Sequence, residues 1–284
     1  MTTNTADPSV PELRSADESP TAAPATEPSS GRGRAASASG YGMLGVAVLL
    51  AGWAIAAKLL DNAILLPTPL ATLEGFGDVL RDGTLLVDVA ASLKRVLSGF
   101  GLAAVTGVPL ALLVVSFRRL SQLLLPVLAL LRPIPPIAWV PIAILWFGLG
   151  DKPSYFVTAV AAFFPVFLNS LGGARSVEAQ HLRAARCLGA RKLQLLRYVY
   201  LPSSLPAVWT GLKIGLGQSW MAVVTAELVA AQSGLGHMIE LNRLQLETPR
   251  VFVGMFMISV IGALMTLALG AAETWIFPWK KTEP

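Results

Sequence analysis

Apolar residues run along this chain in long unbroken blocks separated by short polar or proline-rich breaks. Met43–Leu60 carries one charge, Lys58, near its end, and residues 96–117, 154–174 and 251–272 carry none. Residues 203–239 are interrupted only by Lys213 and Glu227. Residues 120–150 hold a single charge, Arg132, among several prolines. A run of about 20 residues is enough to cross the hydrocarbon core of a bilayer as a helix. Lipid offers the backbone no partner, so a spanning segment must be a helix or part of a closed barrel. Barrel strands alternate apolar and polar positions, whereas these runs are continuous. The pattern therefore predicts an all-α membrane protein with about six spans: an anchor helix over 41–62, then spans near 96–117, 122–150, 154–174, 203–231 and 251–275.

Two segments between spans look amphipathic rather than buried. Residues 66–95 begin with Pro67-Thr68-Pro69 and then place Leu70, Leu73, Phe76 and Leu80 near helical spacing, which predicts a short helix at the membrane surface. Residues 240–250 form a second such segment. Residues 1–40 are rich in Pro, Ser, Thr, Ala and Gly and lack aromatics. They offer too little apolar surface to offset ordering entropy and are expected to form a disordered tail. No basic stretch abuts a short apolar core near the start, so the first apolar run reads as a retained anchor. Residues 281–284 read as a second tail.

Composition sharpens this picture. Hydrophobic residues make up 54% and charged residues 14%, where a soluble domain carries roughly 25% charged. The net charge of +5 does not point to nucleic acid, because basic residues in a membrane protein mainly set orientation. With the N-terminus in the cytoplasm, the inner loops hold Arg118, Arg119, Arg175, Arg183, Arg186, Arg191, Lys192 and Arg197. The outer ones hold Lys58, Arg81, Lys94, Arg95, Lys152, Arg243 and Arg250. This bias puts both termini inside a cell membrane. One cysteine, Cys187, excludes a disulfide framework, and the two histidines, His181 and His237, have no ligand spacing around them.

The largest charged interruption is the loop at 175–202. Ala184 and Ala185 permit close approach to a partner, and Gly189 can take a positive φ and end a short helix in a reversal. Leu193, Leu196, Val199 and Tyr200 then offer an apolar face, and Leu201-Pro202 starts the next span, proline being tolerated in a helix's first turn. The spacing predicts a helix-turn-helix outside the bilayer that fits a groove on a partner. A plain basic surface loop is the alternative reading.

Charges inside spans are costly and generally face a cavity or a partner. Arg132 stands at the head of Pro133, Pro135, Pro136 and Pro141, which remove backbone donors and break the helix. Arg132 and Pro135 are thus candidates for bordering a translocation path, with snorkelling or bracing as the alternative for the arginine. Lys213 and Glu227 are the other candidates. Fourteen residues of helix would hold them about 21 Å apart, so they cannot pair with each other. Lys213 either attracts an anionic solute or anchors the span. Glu227 either holds an outer gate or braces the turn before Gly234 and Gly236.

The run Arg183-Ala184-Ala185…Gly189…Leu201-Pro202 resembles the coupling loop of ABC importer permeases. The resemblance extends from Leu65 to the C-terminus. It includes Leu66-Pro67-Thr68-Pro69, Ala91-Ser92-Leu93-Lys94-Arg95-Val96-Leu97-Ser98-Gly99-Phe100, the stretch from Leu131 to Pro141, Trp146-Phe147-Gly148-Leu149-Gly150, Thr210-Gly211-Leu212-Lys213, Ala226-Glu227-Leu228 and Ser233-Gly234-Leu235-Gly236. In this order they resemble permeases for nitrate, sulfonate, taurine and related small solutes. One departure is that the general signature begins Glu-Ala-Ala, and Arg183 holds the Glu position. The contact with the ATPase is then expected through Arg183 or Arg186 on an acidic patch.

The resemblance implies a type I importer permease. Its partners would be ABC ATPase subunits that hold ATP and Mg, a second permease copy, an extracytoplasmic solute-binding protein and the lipid bilayer. No cofactor is expected in this chain itself, and no enzyme activity. A nucleotide-binding G-x-x-x-x-G-K-[ST] pattern does not occur. The rivals are weaker. An intramembrane serine protease would need a nucleophile near a base, and the nearest pattern, Ala231-Gln232-Ser233-Gly234, begins with Ala rather than Gly and has His237 only four residues beyond Ser233. A secondary transporter would carry internal repeats with paired broken helices, and none is evident.

Overall fold

The computed structural model describes residues 31–277. Residues 1–30 of the expected tail, and the last tail at 281–284, lie outside the described residues. The helices, in chain order, are α1 (Gly31–Leu60), α2 (Pro69–Arg81), α3 (Thr84–Ser116) and α4 (Arg118–Leu131). A 3₁₀ turn (Pro136–Trp139) follows, then α5 (Val140–Phe147), α6 (Asp151–Arg175), α7 (Ala179–Cys187) and α8 (Lys192–Leu195). A π-helical turn (Leu196–Tyr200) leads into α9 (Leu201–Ala230), α10 (Leu235–Leu244) and α11 (Thr248–Ile276). Among the described residues there is no strand. Among the described residues four helices are long and apolar enough to cross a membrane, or up to six if two bent pairs each count as one span.

The described residues divide into two compact units, the first ending at Leu49 and the second beginning at Leu50. In the first, helix α1 already starts at Gly31, earlier than the expected anchor at 41, and Met43, Leu44, Val46, Val48 and Leu49 are exposed along it. Exposed aliphatic side chains of this kind suit a lipid surround.

The second unit is built around α6, which packs between α3 and α9. Small residues let the backbones approach, as they do where membrane helices pack without a hydrophobic driving force. A Cβ on Gly99 would lie 2.7 Å from Thr158 Cβ, and one on Gly215 would lie 2.9 Å from Val166 Cγ2. Around this seam, Val96, Leu216, Trp220, Val223, Leu235, Met238 and Ile261 form one buried cluster. Ala111, Val114, Phe167 and Leu171 form another.

Two expected boundaries are corrected. First, α3 begins at Thr84 rather than near 96, so the expected surface segment 66–95 is α2 plus the start of a spanning helix. Thr68 caps α2, its hydroxyl accepting from the Ala71 N–H at 3.2 Å, and Gly83 (φ +72°) makes the turn into α3. Asp88, Lys94 and Arg95 interrupt the hydropathy but not the helix, because no proline falls among them. Second, 240–250 is not a separate surface segment: it divides between α10 and the start of α11, with Pro249 in the first turn of α11. The proline-rich stretch breaks the chain as its residues dictate. The helices on its two sides bend by 95°.

Candidate functional site

Three places in the second unit concentrate polar chemistry. The most tightly built lies on α3, where Asp88, Ser92 and Arg95 stand at i, i+4 and i+7 and therefore share one face. Arg95 is 1% exposed. Its Nη1 donates to Glu227 Oε1 on α9 at 2.7 Å and to the Ser233 carbonyl at 2.6 Å. Its Nε and Nη2 both donate to Asp151 Oδ1, at 3.0 and 2.5 Å, at the first residue of α6. Nη2 also reaches Ser233 Oγ at 2.8 Å. A guanidinium has five N–H donors, and these contacts use all of them.

Glu227 is equally buried, at 1%. Its carboxylate also accepts from the Ser92 hydroxyl at 2.8 and 2.9 Å and from the Gly236 N–H at 3.0 Å. Ser92 Oγ in turn accepts from the Leu235 N–H at 2.9 Å, and Asp88 Oδ1 accepts from the Gly234 N–H at 2.7 Å. The opening N–H groups of α10 are thus held by side chains from α3 and α9. Gly234 has φ +107°, and a Cβ there would lie 2.5 Å from the Glu227 carboxyl carbon. Only glycine fits that turn. The knot ties α3, α6, α9 and α10 together. The sequence pattern placed Arg95 in an outer loop, and the structure corrects this. The legible signal was the i, i+4, i+7 spacing of Asp88, Ser92 and Arg95.

The second place is a cavity of about 380 Å³ beside the broken segment. Arg132, Asn169 and Gln218 supply its polar groups, and Phe164, Pro165 and Leu168 are among its apolar walls. No Asp or Glu lines it, and Arg132 has no carboxylate within 4.0 Å among the described residues. Pro135 is exposed between Ile134 and Pro136, which both line the cavity. The two other candidate path residues lie elsewhere. Lys213 is ion-paired with Glu273 of α11, and Glu227 is enclosed in the knot. Asn169 and Gln218, which the sequence pattern did not single out, are the groups that join Arg132.

The third place is the loop after α6. Helix α7 carries Arg183, Ala184 and Ala185 and closes at Gly189, whose φ is +78° and whose N–H donates to the Arg186 carbonyl at 2.9 Å. Leu188 and Leu193 project on either side of this reversal, 89% and 77% exposed. Leu201 and Pro202 open α9. The turn thus presents two bare leucines amid arginines.

Helices long and apolar enough to cross a membrane, a broken helix with a cavity beside it and a helix-turn-helix after α6 together suit a membrane transport subunit. The chain belongs to the family of binding-protein-dependent transport system inner membrane components, which residues 99–281 match. The taurine transport system permease protein TauC of Escherichia coli is 36% identical over 240 residues, covering 82% of this chain and 87% of that one. A Methanocaldococcus jannaschii protein named as an ABC transporter permease is 36% identical over 238 residues, covering 81% of this chain and 88% of that one. In fold, the chain resembles the inward-facing MetNI methionine ABC transporter, with a TM-score of 0.52 at 19% identity over 66% of this chain and 96% of that one. This protein is accordingly the membrane-embedded permease component of an ABC importer. Its ATPase is a separate subunit and a solute-binding protein delivers cargo, so the chain itself is not an enzyme.

Proposed function

We propose that the permease imports a small, negatively charged or sulfonate-bearing solute (nitrate, an aliphatic sulfonate or a taurine-like compound), with the loop at 175–202 as its contact to the ATPase. The carrying observation is the Gly189 reversal, which holds Leu188 and Leu193 out of the protein beside Arg183 and Arg186. Ala184 and Ala185 permit close docking, and Leu193, Leu201 and Pro202 fix where the chain re-enters the membrane. ATP and Mg sit in the partner. Closure of two ATPase subunits draws the paired loops together and biases the bundle between inward and outward access.

A homodimer supplies the second wall of the path, because the Arg132 cavity is open on one side and Gln218 is exposed on α9. Arg132 borders the path, with Pro135 in the break that positions it, while Lys213 and Glu227 brace the helices around it. Termini on the cytoplasmic side agree with the basic residues gathered at the 175–202 end. Similarity to a taurine permease supports a cargo that carries a sulfonate group, and a cavity with a cation and no carboxylate supports a negatively charged one.

The test is purification through a tag on the N-terminal tail, comparing wild type with Gly189→Asp, alongside uptake of radiolabelled ethanesulfonate, taurine and nitrate. Wild type should recover the ATPase and support uptake. The variant should remain in the membrane but lose both. Full uptake by Gly189→Asp would refute the coupling assignment, and uptake of none of the three solutes by wild type would refute the cargo class.

A further inference from the structure

At the same end of the bundle as the 175–202 loop, two cavities of about 420 and 430 Å³ share Val115 and Ser116 as a common wall. Arg186, Arg191 and Lys192 line the first, and Arg118 and Arg175 line the second. None of these five cations has a carboxylate within 4.0 Å among the described residues, and no Asp or Glu lines either cavity. Lys192 instead lies over the Phe117 ring, 5.4 Å from its centroid. At the opposite end the arginines Arg81, Arg95, Arg243 and Arg250 are all paired with carboxylates, and among the described residues only the lysines Lys58, Lys94 and Lys152 of that end have none within 4.0 Å. Clustered like charges repel, so an arrangement that gathers them around two adjoining hollows calls for an anion between them.

We infer that this pair of cavities binds the phosphodiester headgroup of an anionic membrane lipid. Three observations select that chemistry. Arginine forks match phosphate oxygens bidentately, with lysine adding a point charge. Arg118 and Arg175 stand at the ends of α4 and α6, helices that are candidates for crossing a membrane, α4 as half of a bent span, and charges at such ends fall near headgroup depth. Helix α4 also exposes Leu123, Val127 and Leu130, an apolar flank for acyl chains next to a cationic opening. Basic pockets between membrane helices at that depth take lipid headgroups. The bound phosphate bridges the α7–α8 loop to the ends of α3, α4 and α6, steadying the surface that the proposed function assigns to the ATPase. The lipid site itself does not depend on that assignment.

The experiment uses the assembled permease–ATPase complex in nanodiscs of phosphatidylcholine, alone or mixed with phosphatidylglycerol. Lipid retained after exchange is quantified by mass spectrometry. Wild type should retain phosphatidylglycerol above its share of the disc. Arg118→Gln and Arg175→Gln should each lower that enrichment about fivefold, as removal of roughly 1 kcal/mol per cation requires. Arg118→Lys, which keeps the charge, should retain most of it. Arg243→Gln, at the other end, should change nothing, which separates a built site from general attraction.

No enrichment in wild type, or equal enrichment in Arg118→Gln, would overturn the inference. So would thermal stabilisation by millimolar inorganic phosphate equal to that by phosphatidylglycerol, since the ligand would then be a free anion. Loss of the ATPase from both variants with lipid retention unchanged would overturn it too, by assigning the cations to the protein partner. Failure of the coupling reading alone would appear instead as lipid enrichment without ATPase recovery.

Discussion

Arg95 Nη1 and Glu227 Oε1 meet at 2.7 Å across α3 and α9, joining residues 132 positions apart in the chain, and neither side chain reaches solvent. The pair does not stand alone, because Asp151 and Ser233 complete the arginine, and Ser92 and Gly236 complete the glutamate. Removing one partner of a buried pair strands the other.

Glu227→Ala should therefore cost about 3 kcal/mol or more of stability. Asp151→Asn should cost under about 1 kcal/mol, because that carboxylate is half exposed. Arg95→Met combined with Glu227→Ala should recover part of the loss, an apolar replacement of both charges being far milder than removal of one. Thermal unfolding of the purified complex in nanodiscs ranks the variants. Equal losses for Glu227→Ala and Asp151→Asn would contradict the burial argument.

Gly234→Ala should destabilise the same region by about 1–3 kcal/mol through backbone strain at positive φ. Its Cβ would also lie 2.6 Å from Arg95 Nη1. Hydrogen exchange should localise the damage to α10 and the end of α9. A uniform rise across the protein would argue against a local cause.

Gly215→Leu places a side chain where even a Cβ would be 2.9 Å from Val166 Cγ2. Separating α6 from α9 at the centre of the bundle should cost roughly 1–3 kcal/mol, as overpacking generally does. Gly217→Leu, with nothing within 4 Å of its Cβ, is the matched control in thermal unfolding of the single chain. Identical midpoints for the two would show that the seam is not close-packed.

Arg132→Gln should reduce anion uptake about tenfold, the equivalent of 1.4 kcal/mol of lost interaction. ATP hydrolysis by the complex should continue. Arg132→Lys should fall between, keeping the charge but losing the fork. Uptake unchanged in Arg132→Gln would remove the arginine from the path.

Much of the fold was legible because transfer of apolar runs into lipid drives it, and those runs stand plainly in the sequence. Residues 154–174 and 251–272 carry no charge, and the structure has helices there. The start of α3 was not legible by the same rule. Asp88, Lys94 and Arg95 lower the local hydropathy, yet each lies in unbroken helix, and Arg95 is neutralised by residues 56 and 132 positions away. Long-range pairing of that kind leaves no mark in a sliding window. Gly189 was readable because positive φ is a local requirement. The partners of Arg132 were not, because Asn169 and Gln218 reach its cavity from two other helices.

Helix α3 has 33 residues and so measures about 50 Å, well beyond a hydrocarbon core of about 30 Å. The knot grips it toward one end, and Ser116, beside the basic cavities, lies about 31 Å further on. If α3 tilted as one rod about Arg95, roughly 10° would carry the Ser116 end through about 5 Å, one turn of helix, and the Asp88 end through less than about 2 Å. Gly99 and Gly107 seat it against α6 along the longer arm, so such a tilt would have to carry α6 with it.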